Sequence, residues 1–224
     1  PPYRPAAPAA ELTGFTHVWQ TWNNCGPATL AMLLSYYGSR LTQADVGAAL
    51  RHDPDDKNVS PSELADYARA QGFLAVDGVN GSGDMLRLLL SNGVPVLVET
   101  WHEPEPGNGM GHYRLLTGYD DGRQRWIAFD SYDYSNLRGL NPYRGLVLPY
   151  QETEQLWRAF NRAYVVVYTE ELASSVEGIL RDSGGGEDMW ERAAAQARAE
   201  IEADPEDVFA WFNLGSSLVA LGRH

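Results

Sequence analysis

The chain has 224 residues, of which 44% are hydrophobic, so it is long enough and apolar enough to bury a core. Acidic residues outnumber basic ones by 30 to 17, which gives a formal net charge of -13 and a sequence pI of about 4.7. This charge repels a polyanion, and no local basic patch interrupts it. The composition therefore excludes a general nucleic-acid binder and predicts no nucleic-acid partner.

The only cysteine is Cys25, so the chain has no internal disulfide bond, a feature that does not fix its compartment. No apolar run approaches the length of a membrane span. The first ten residues, PPYRPAAPAA, are rich in proline and do not begin with Met, which is typical of an extended spacer behind a removed signal or anchor. They favour an exported protein, extracellular or anchored at the cell surface; a cytoplasmic location stays open.

Helical signals dominate the first half of the chain. Helices are predicted over 25–37, 41–50, 60–72 and 82–93, with a strand over 73–77. The third helix has the strongest signal, because Ser60 and Glu63 fit a capping box and Pro61 suits the first helical position.

Strand signals dominate the second half. Strands are predicted over 94–100, 112–119, 123–130 and 163–169, with a helix over 152–160. The Asp-Gly pair at 121–122 separates two strand patterns, which indicates a hairpin. Helices first and strands later predict an α+β fold in which the helices pack on an antiparallel sheet.

A glycine-rich segment precedes a helical tail. Residues 181–186 end in three glycines and are predicted to be a linker. Residues 187–224 contain two helical patterns around Asp204-Pro205, and the spacing of Trp211 and Gly215 resembles a tetratricopeptide repeat. A partial repeat cannot bury its own apolar face. The resemblance therefore implies that the tail packs on the preceding domain, on a partner protein or on a second copy, unless the array continues.

Cys25 lies at the predicted start of the first helix, within NNCGPA. The N-terminal N–H groups and the macrodipole of a helix stabilise an anion, so a thiolate is favoured there. The other interpretation is a small, buried and inert residue, because lone cysteines are often core residues. Position alone leaves both interpretations open.

A catalytic thiolate needs a base, and the chain offers five histidines. His224 is the last residue, and His52 lies in a polar turn sequence. His112 opens a strand directly after a glycine-rich loop, so it is favoured over His102 at the end of the preceding strand. His17 lies close upstream of the cysteine, where it could help to position the site.

Hairpin symmetry provides a carboxylate partner for His112. His112 and Asp130 lie at similar distances on either side of the turn at 121–122, so antiparallel pairing brings them side by side. An aspartate there can accept a hydrogen bond from one imidazole nitrogen and turn the other towards a thiol. The other interpretation of Asp130 is a turn residue at a strand end.

Gln20 lies shortly before Cys25, so its side-chain amide can fold back beside a nucleophile and donate to a developing oxyanion. The loop over 101–111 contains three glycines and could act as a lid. The sequence has no zinc-type cluster of histidine and cysteine, no phosphate loop and no calcium-loop spacing. It therefore predicts neither a metal nor another cofactor.

These stretches carry a resemblance to a known family. Q-x4-NCGPA, GVPVLVE, GHYRLLTGYDD and FDS are similar to the papain-like cysteine peptidases of the bacteriocin-processing, double-glycine-leader type, especially to their stand-alone bacterial relatives. The resemblance runs from about Leu12 to Thr169. It implies a papain-like peptidase domain over 11–180 behind a linker at 1–10. Ser131 stands where the family often has proline, a departure that concerns the local loop.

The resemblance implies a cysteine-type peptidase with four catalytic positions. Cys25 would be the nucleophile and His112 the general base and acid, while Asp130 would orient the imidazole and Gln20 would donate to the oxyanion. Such an enzyme cleaves a peptide or protein substrate through a thioester, without a cofactor. Two alternatives stay open: an acyl transferase or amidase on the same residues, and a domain that binds peptides without cleaving them. Because all four positions are filled, the sequence favours the enzyme.

Overall fold

The computed structural model describes residues 2–51, 58–186 and 188–223. His52, with the polar turn predicted around it, and His224 lie outside the described residues. Within those three ranges, no helix combines the length and the apolar character that crossing a bilayer requires. Export, which the proline-rich start favours, stays a prediction.

In the described part of the chain, seven strands form one antiparallel sheet in the order β2-β7-β3-β4-β5-β6, with β1 beside β4. The strands are β1 (Ala9–Glu11), β2 (Leu74–Gly78), β3 (Val96–His102), β4 (Met110–Asp120), β5 (Arg125–Phe129), β6 (Leu146–Pro149) and β7 (Tyr164–Tyr168). The long strand β4 pairs with β3 over residues 110–116, and β1 pairs with residues 118–120 beyond that point. β4 is therefore the centre of the sheet around which the other elements are arranged.

Helices cover both faces of this sheet. The helices are α1 (Cys25–Tyr36), α2 (Gln43–Leu50), α3 (Pro61–Ala70), α4 (Gly83–Ser91), α5 (Tyr150–Trp157), α6 (Ala173–Asp182), α7 (Met189–Ala203) and α8 (Val208–Ala220). Because side chains alternate along a strand, Val96 and Val98 of β3 lie in one core with α4 and α6, whereas Leu97 lies in the other with α1, α2 and α3. The predicted α+β fold, with helices on an antiparallel sheet, is confirmed.

The predicted helix starts rest on reciprocal capping. Ser60 accepts from the Glu63 N–H while the Glu63 carboxylate accepts from the Ser60 N–H, and Thr42 and Asp45 do the same for α2. Three elements are not predicted from the sequence: β1, β6 and α6. Each is short or rich in small polar residues, so packing rather than intrinsic propensity decides its structure.

The first residues differ from the extended spacer that the sequence predicts. The Tyr3 hydroxyl donates to Asp182 at the end of α6, over 2.8 Å. The main chain of Arg4 makes two hydrogen bonds of 2.9 Å with the side chain of Asn92, and β1 follows. Residues 2–10, which the sequence assigns to a linker, therefore contact the domain, and Ala9 and Ala10 pair with its sheet.

The C-terminal tail forms a helical hairpin that packs on the preceding domain. Ala193 of α7 is buried against Val79 and Ala163. Asn213 of α8 is also buried, and its side chain accepts from the Asn161 N–H over 3.0 Å and donates to the Arg158 carbonyl over 2.6 Å. Of the arrangements expected for the tail, packing on the domain is the one in this structure. The tetratricopeptide resemblance of residues 187–224 stays a prediction.

We predict that Asn213→Ala loosens this packing. The substitution leaves a buried N–H and a partly buried carbonyl of the domain without their partner, which costs about 1–3 kcal/mol of the free energy of unfolding. Urea unfolding followed by circular dichroism measures this loss. Val219→Ala, at a position of α8 that is 63% exposed, is the matched control and should unfold like the wild type. Equal stability of the two variants would contradict the described contact.

Candidate active site

Cys25 is the first residue of α1, and its side chain is half-buried. The preceding Asn24 makes no side-chain cap; its amide instead donates to Gln43 over 2.9 Å. The first turn of α1 also contains no acidic side chain. The positive end of the helix dipole is therefore left for an anion at Cys25.

His112 and Asp130 meet as hairpin symmetry predicts. His112 lies on β4 and Asp130 follows β5 directly, and both side chains are buried. Nε2 of His112 donates to Oδ1 of Asp130 over 2.9 Å. Cys25 lies near enough to this imidazole to raise its pKa, and Nδ1 is the ring nitrogen that Asp130 leaves unbound. The structure thus brings together three of the four predicted site residues.

The surroundings of this pair fix its charges. Burial alone would lower the pKa of His112, but the charge and hydrogen bond of Asp130, together with the nearby Cys25, raise this pKa to about 9. Burial would likewise raise the pKa of Asp130, but His112, Arg114 and the Asp133 N–H hold it well below its usual range. At neutral pH the pair is therefore an imidazolium next to a carboxylate.

Arg114 is a buried member of the site that is not predicted from the sequence. Its Nε donates to Oδ2 of Asp130 over 2.9 Å, and its Nη1 donates to Thr100 over 2.9 Å. The β4–β5 pairing shifts by one residue in a bulge at 116–118, and the register beyond it puts Arg114 opposite Asp130. His112 reaches the carboxylate diagonally, from two residues further along the same strand face.

The chain after β5 holds Asp130 from the other side. The N–H groups of Tyr132 and Asp133 both donate to its Oδ1, each over 2.8 Å. Its carbonyl oxygen accepts a hydrogen bond of 2.8 Å from Nε2 of His17. Burial lowers the pKa of His17, so this imidazole is neutral and serves to position the main chain.

Gln20, the fourth predicted residue, is held by Ser131. The Gln20 N–H donates to the Ser131 carbonyl over 2.9 Å, and the Ser131 hydroxyl donates to Oε1 of Gln20 over 2.9 Å. These bonds orient the amide so that Nε2 is a donor without a partner among the described residues. Ser131 stands where the resembling family often has proline, and a proline could not make the side-chain bond. The serine that replaces the family's frequent proline therefore makes a hydrogen bond to Gln20, a predicted site residue.

His102, the weaker histidine candidate, lies beside His112 with ring centroids 5.3 Å apart. Its Nδ1 faces Nη2 of Arg114 at 3.4 Å, so His102 supports the arginine rather than the thiol. Despite the two neighbouring imidazoles, no group of three or more His, Cys, Asp or Glu side chains in the described residues could hold a metal ion.

β3 and β4 extend to His102 and Met110, so the loop expected over 101–111 is confined to residues 103–109.

A helix that begins at a cysteine and packs on an antiparallel sheet with a buried His-Asp pair defines a class: the papain-like cysteine peptidases. The model of the Peptidase_C39 like family matches residues 12–165. The chain belongs to this family and is a cysteine-type peptidase. No curated protein matches the sequence.

Solved structures share the fold at low sequence identity. A C39-like peptidase from Bacillus anthracis is 16% identical with a TM-score of 0.55, over 72% of this chain and 98% of that chain. Xylellain, a cysteine protease from Xylella fastidiosa, is 14% identical with a TM-score of 0.54, over 73% and 87%. A double glycine motif protease from an AMS/PCAT transporter is 18% identical with a TM-score of 0.50, over 71% and 95%. The likeness supports the papain-like fold.

Proposed function

We propose that this peptidase cleaves peptide bonds through a thioester on Cys25, with His112 as base and acid and Asp130 as the group that orients the imidazole. The observation that carries the proposal is the buried hydrogen bond from His112 to Asp130, on an imidazole whose pKa the nearby Cys25 also raises. An imidazolium beside the thiol, together with the uncapped end of α1, favours the thiolate that attacks a carbonyl.

Acylation begins when the Cys25 sulfur attacks the carbonyl carbon of the scissile bond. A carbon–sulfur bond forms and the carbonyl oxygen becomes an oxyanion, which accepts hydrogen bonds from Nε2 of Gln20 and from the Cys25 N–H. The proton on Nδ1 of His112 passes to the leaving nitrogen, the carbon–nitrogen bond breaks, and the amine product departs. The acyl group stays on Cys25 as a thioester.

Deacylation uses the same groups in reverse. The imidazole of His112, now neutral, takes a proton from water, whose oxygen attacks the thioester carbon. The carbon–sulfur bond breaks, the carboxylic acid product leaves, and the ion pair of Cys25 and His112 is restored. Asp130 keeps its hydrogen bond to Nε2 throughout, which fixes the ring orientation and stabilises its positive charge.

A peptide segment is the substrate that fits this proposal. The double glycine motif protease with the similar fold was solved in complex with a leader peptide. We propose a peptide or protein substrate for this chain as well. An acyl transferase or amidase and a binding domain without cleavage remain as outcomes of the test rather than as second proposals.

We predict that the wild-type protein cleaves members of a peptide library and that Cys25→Ala cleaves none. His112→Ala should lose at least about a hundredfold in rate, because the thiolate and the leaving-group proton are both lost. Mass spectrometry identifies the products, and thermal unfolding verifies that each variant is folded. Labelling of wild-type Cys25 by a thiol probe without any cleavage would contradict the proposal. Amine-trapped products would then indicate a transferase, and peptide retention without products a binding domain.

We predict a coupled pair of effects at Gln20 and Ser131. Gln20→Ala should lower kcat by about a hundredfold, the cost of one oxyanion donor. Ser131→Ala should lower kcat by less, since it only frees the amide, and should add nothing in the Gln20→Ala background. Ser135→Ala, an exposed serine of the same loop, is the matched control. Additive losses in the double variant would contradict the action of Ser131 through Gln20.

A further inference from the structure

The C-terminal helical hairpin contacts the strand next to the candidate active site. Phe209 of α8 packs edge-on against Trp101 of β3, with ring centroids 5.3 Å apart. Phe160, which follows α5, also lies against Trp101 at 6.4 Å. The Trp101 side chain is thus packed between the end of the peptidase sheet and the tail.

Trp101 supports the loop over 103–109. A Cβ atom at Gly109 would lie only 1.9 Å from the indole ring, so the loop rests on this ring at a position that only glycine can take. The indole N–H points to Glu103 at 3.5 Å, and the Glu103 carboxylate accepts from the Gly107 N–H over 2.6 Å. The position of the indole therefore sets the position of the loop.

Trp101 also lies between two residues that contact Arg114. Thr100 accepts from Arg114 over 2.9 Å, and Nδ1 of His102 lies 3.4 Å from the same guanidinium. Across the sheet, Trp101 is paired with Gly111, which directly precedes His112. A displacement of the indole moves the end of β3, and with it the side chains that hold Arg114 on Asp130.

Partly buried ion pairs fix the hairpin against this part of the domain. Arg158 pairs with Asp207 at the start of α8 and, at 3.3 Å, with Glu200 of α7. Arg162 pairs with the same Glu200 at 2.8 Å. Asp207 caps α8 by accepting from the Phe209 N–H over 3.0 Å. The ion pairs thus fix the start of α8, and with it the position of Phe209 against Trp101.

We propose that the C-terminal helical hairpin is a positioning element of the candidate active site, and that Phe209 acts through Trp101 on the end of β3 and the loop over 103–109. The family model ends at residue 165, so this element lies outside the matched region. Phe209 touches none of the reacting groups and is a positioning residue. The inference rests on the proposed roles of Cys25 and His112.

The test measures how fast iodoacetamide alkylates Cys25, the only cysteine of the chain, at pH 6, where an ordinary thiol is almost entirely protonated. We expect Phe209→Ala to slow alkylation roughly tenfold, because small displacements at such a site are costly. Phe209→Leu should slow it less, and Phe209→Tyr, which keeps the ring, should restore the wild-type rate. Phe212→Ala, at a position of α8 that is 59% exposed, is the matched control and should leave the rate unchanged.

A wild-type rate in both folded Phe209→Ala and Phe209→Leu would overturn the positioning role, as would an equal loss in Phe212→Ala. If thermal unfolding shows that Phe209→Ala does not fold, the rate of Phe209→Leu decides. His112→Ala separates this inference from the proposed function. If wild type is alkylated no faster than His112→Ala, the proposed role of His112 fails. If wild type is alkylated faster than His112→Ala and the Phe209 variants react at the wild-type rate, only the positioning role fails.

Discussion

The charge of Asp130 is the feature on which the rest of the site depends. A fully buried carboxylate is costly unless several donors and opposite charges compensate for its lost hydration. Here the imidazole of His112, the guanidinium of Arg114 and two loop N–H groups supply that compensation. Two of these donors lie on β4 and two in the turn after β5, so one carboxylate joins the strand to the turn.

Helix α1, which begins at Cys25, packs on β4, the strand that carries His112 and Arg114. The Thr29 hydroxyl of α1 donates to the carbonyl of Tyr113 over 3.2 Å, and Gly26 lets the start of the helix approach the Tyr113 ring. A Cβ at Gly26 would lie 3.3 Å from that ring, tighter than ordinary contact. Because Tyr113 directly follows His112, packing of α1 on β4 sets the thiol and the imidazole relative to each other. The geometry of the site therefore depends on the contact between α1 and β4 and on the buried charge of Asp130.

The sequence predicts the helices and strands with local signals, and it predicts the pair of His112 and Asp130 from the symmetry of a hairpin. It cannot predict the bulge, since an extra residue in one strand leaves no clear local signal, and so it misses Arg114 opposite the carboxylate. The strand pattern does predict that Arg114 lies on the same face as His112, because residues two apart in a strand share one face. The hydrogen bond between Ser131 and Gln20 is not predicted for a different reason, since the two residues lie far apart in sequence.

Tertiary contacts also explain the elements that the sequence misses. α6 contains serines and Gly178, which weaken a helix, yet a Cβ at Gly178 would lie 2.7 Å from Pro2. The glycine thus makes room for the N-terminal segment, whose proline content is typical of a spacer when read alone. Neither segment has a local signal for its structure, because each is ordered by the other.

The protonation state of His112 tests the central claim most directly. In protein with isotope-labelled histidine, nuclear magnetic resonance follows each imidazole as pH rises. The buried pair predicts that His112 is cationic at neutral pH and loses its proton near pH 9, and that Asp130→Asn moves this titration downward. The stabilisation from the ion pair should be present below the ordinary value of about 6.5 and be lost as pH passes through 9. A His112 that titrates at or below about 6.5 in the wild type would contradict the account.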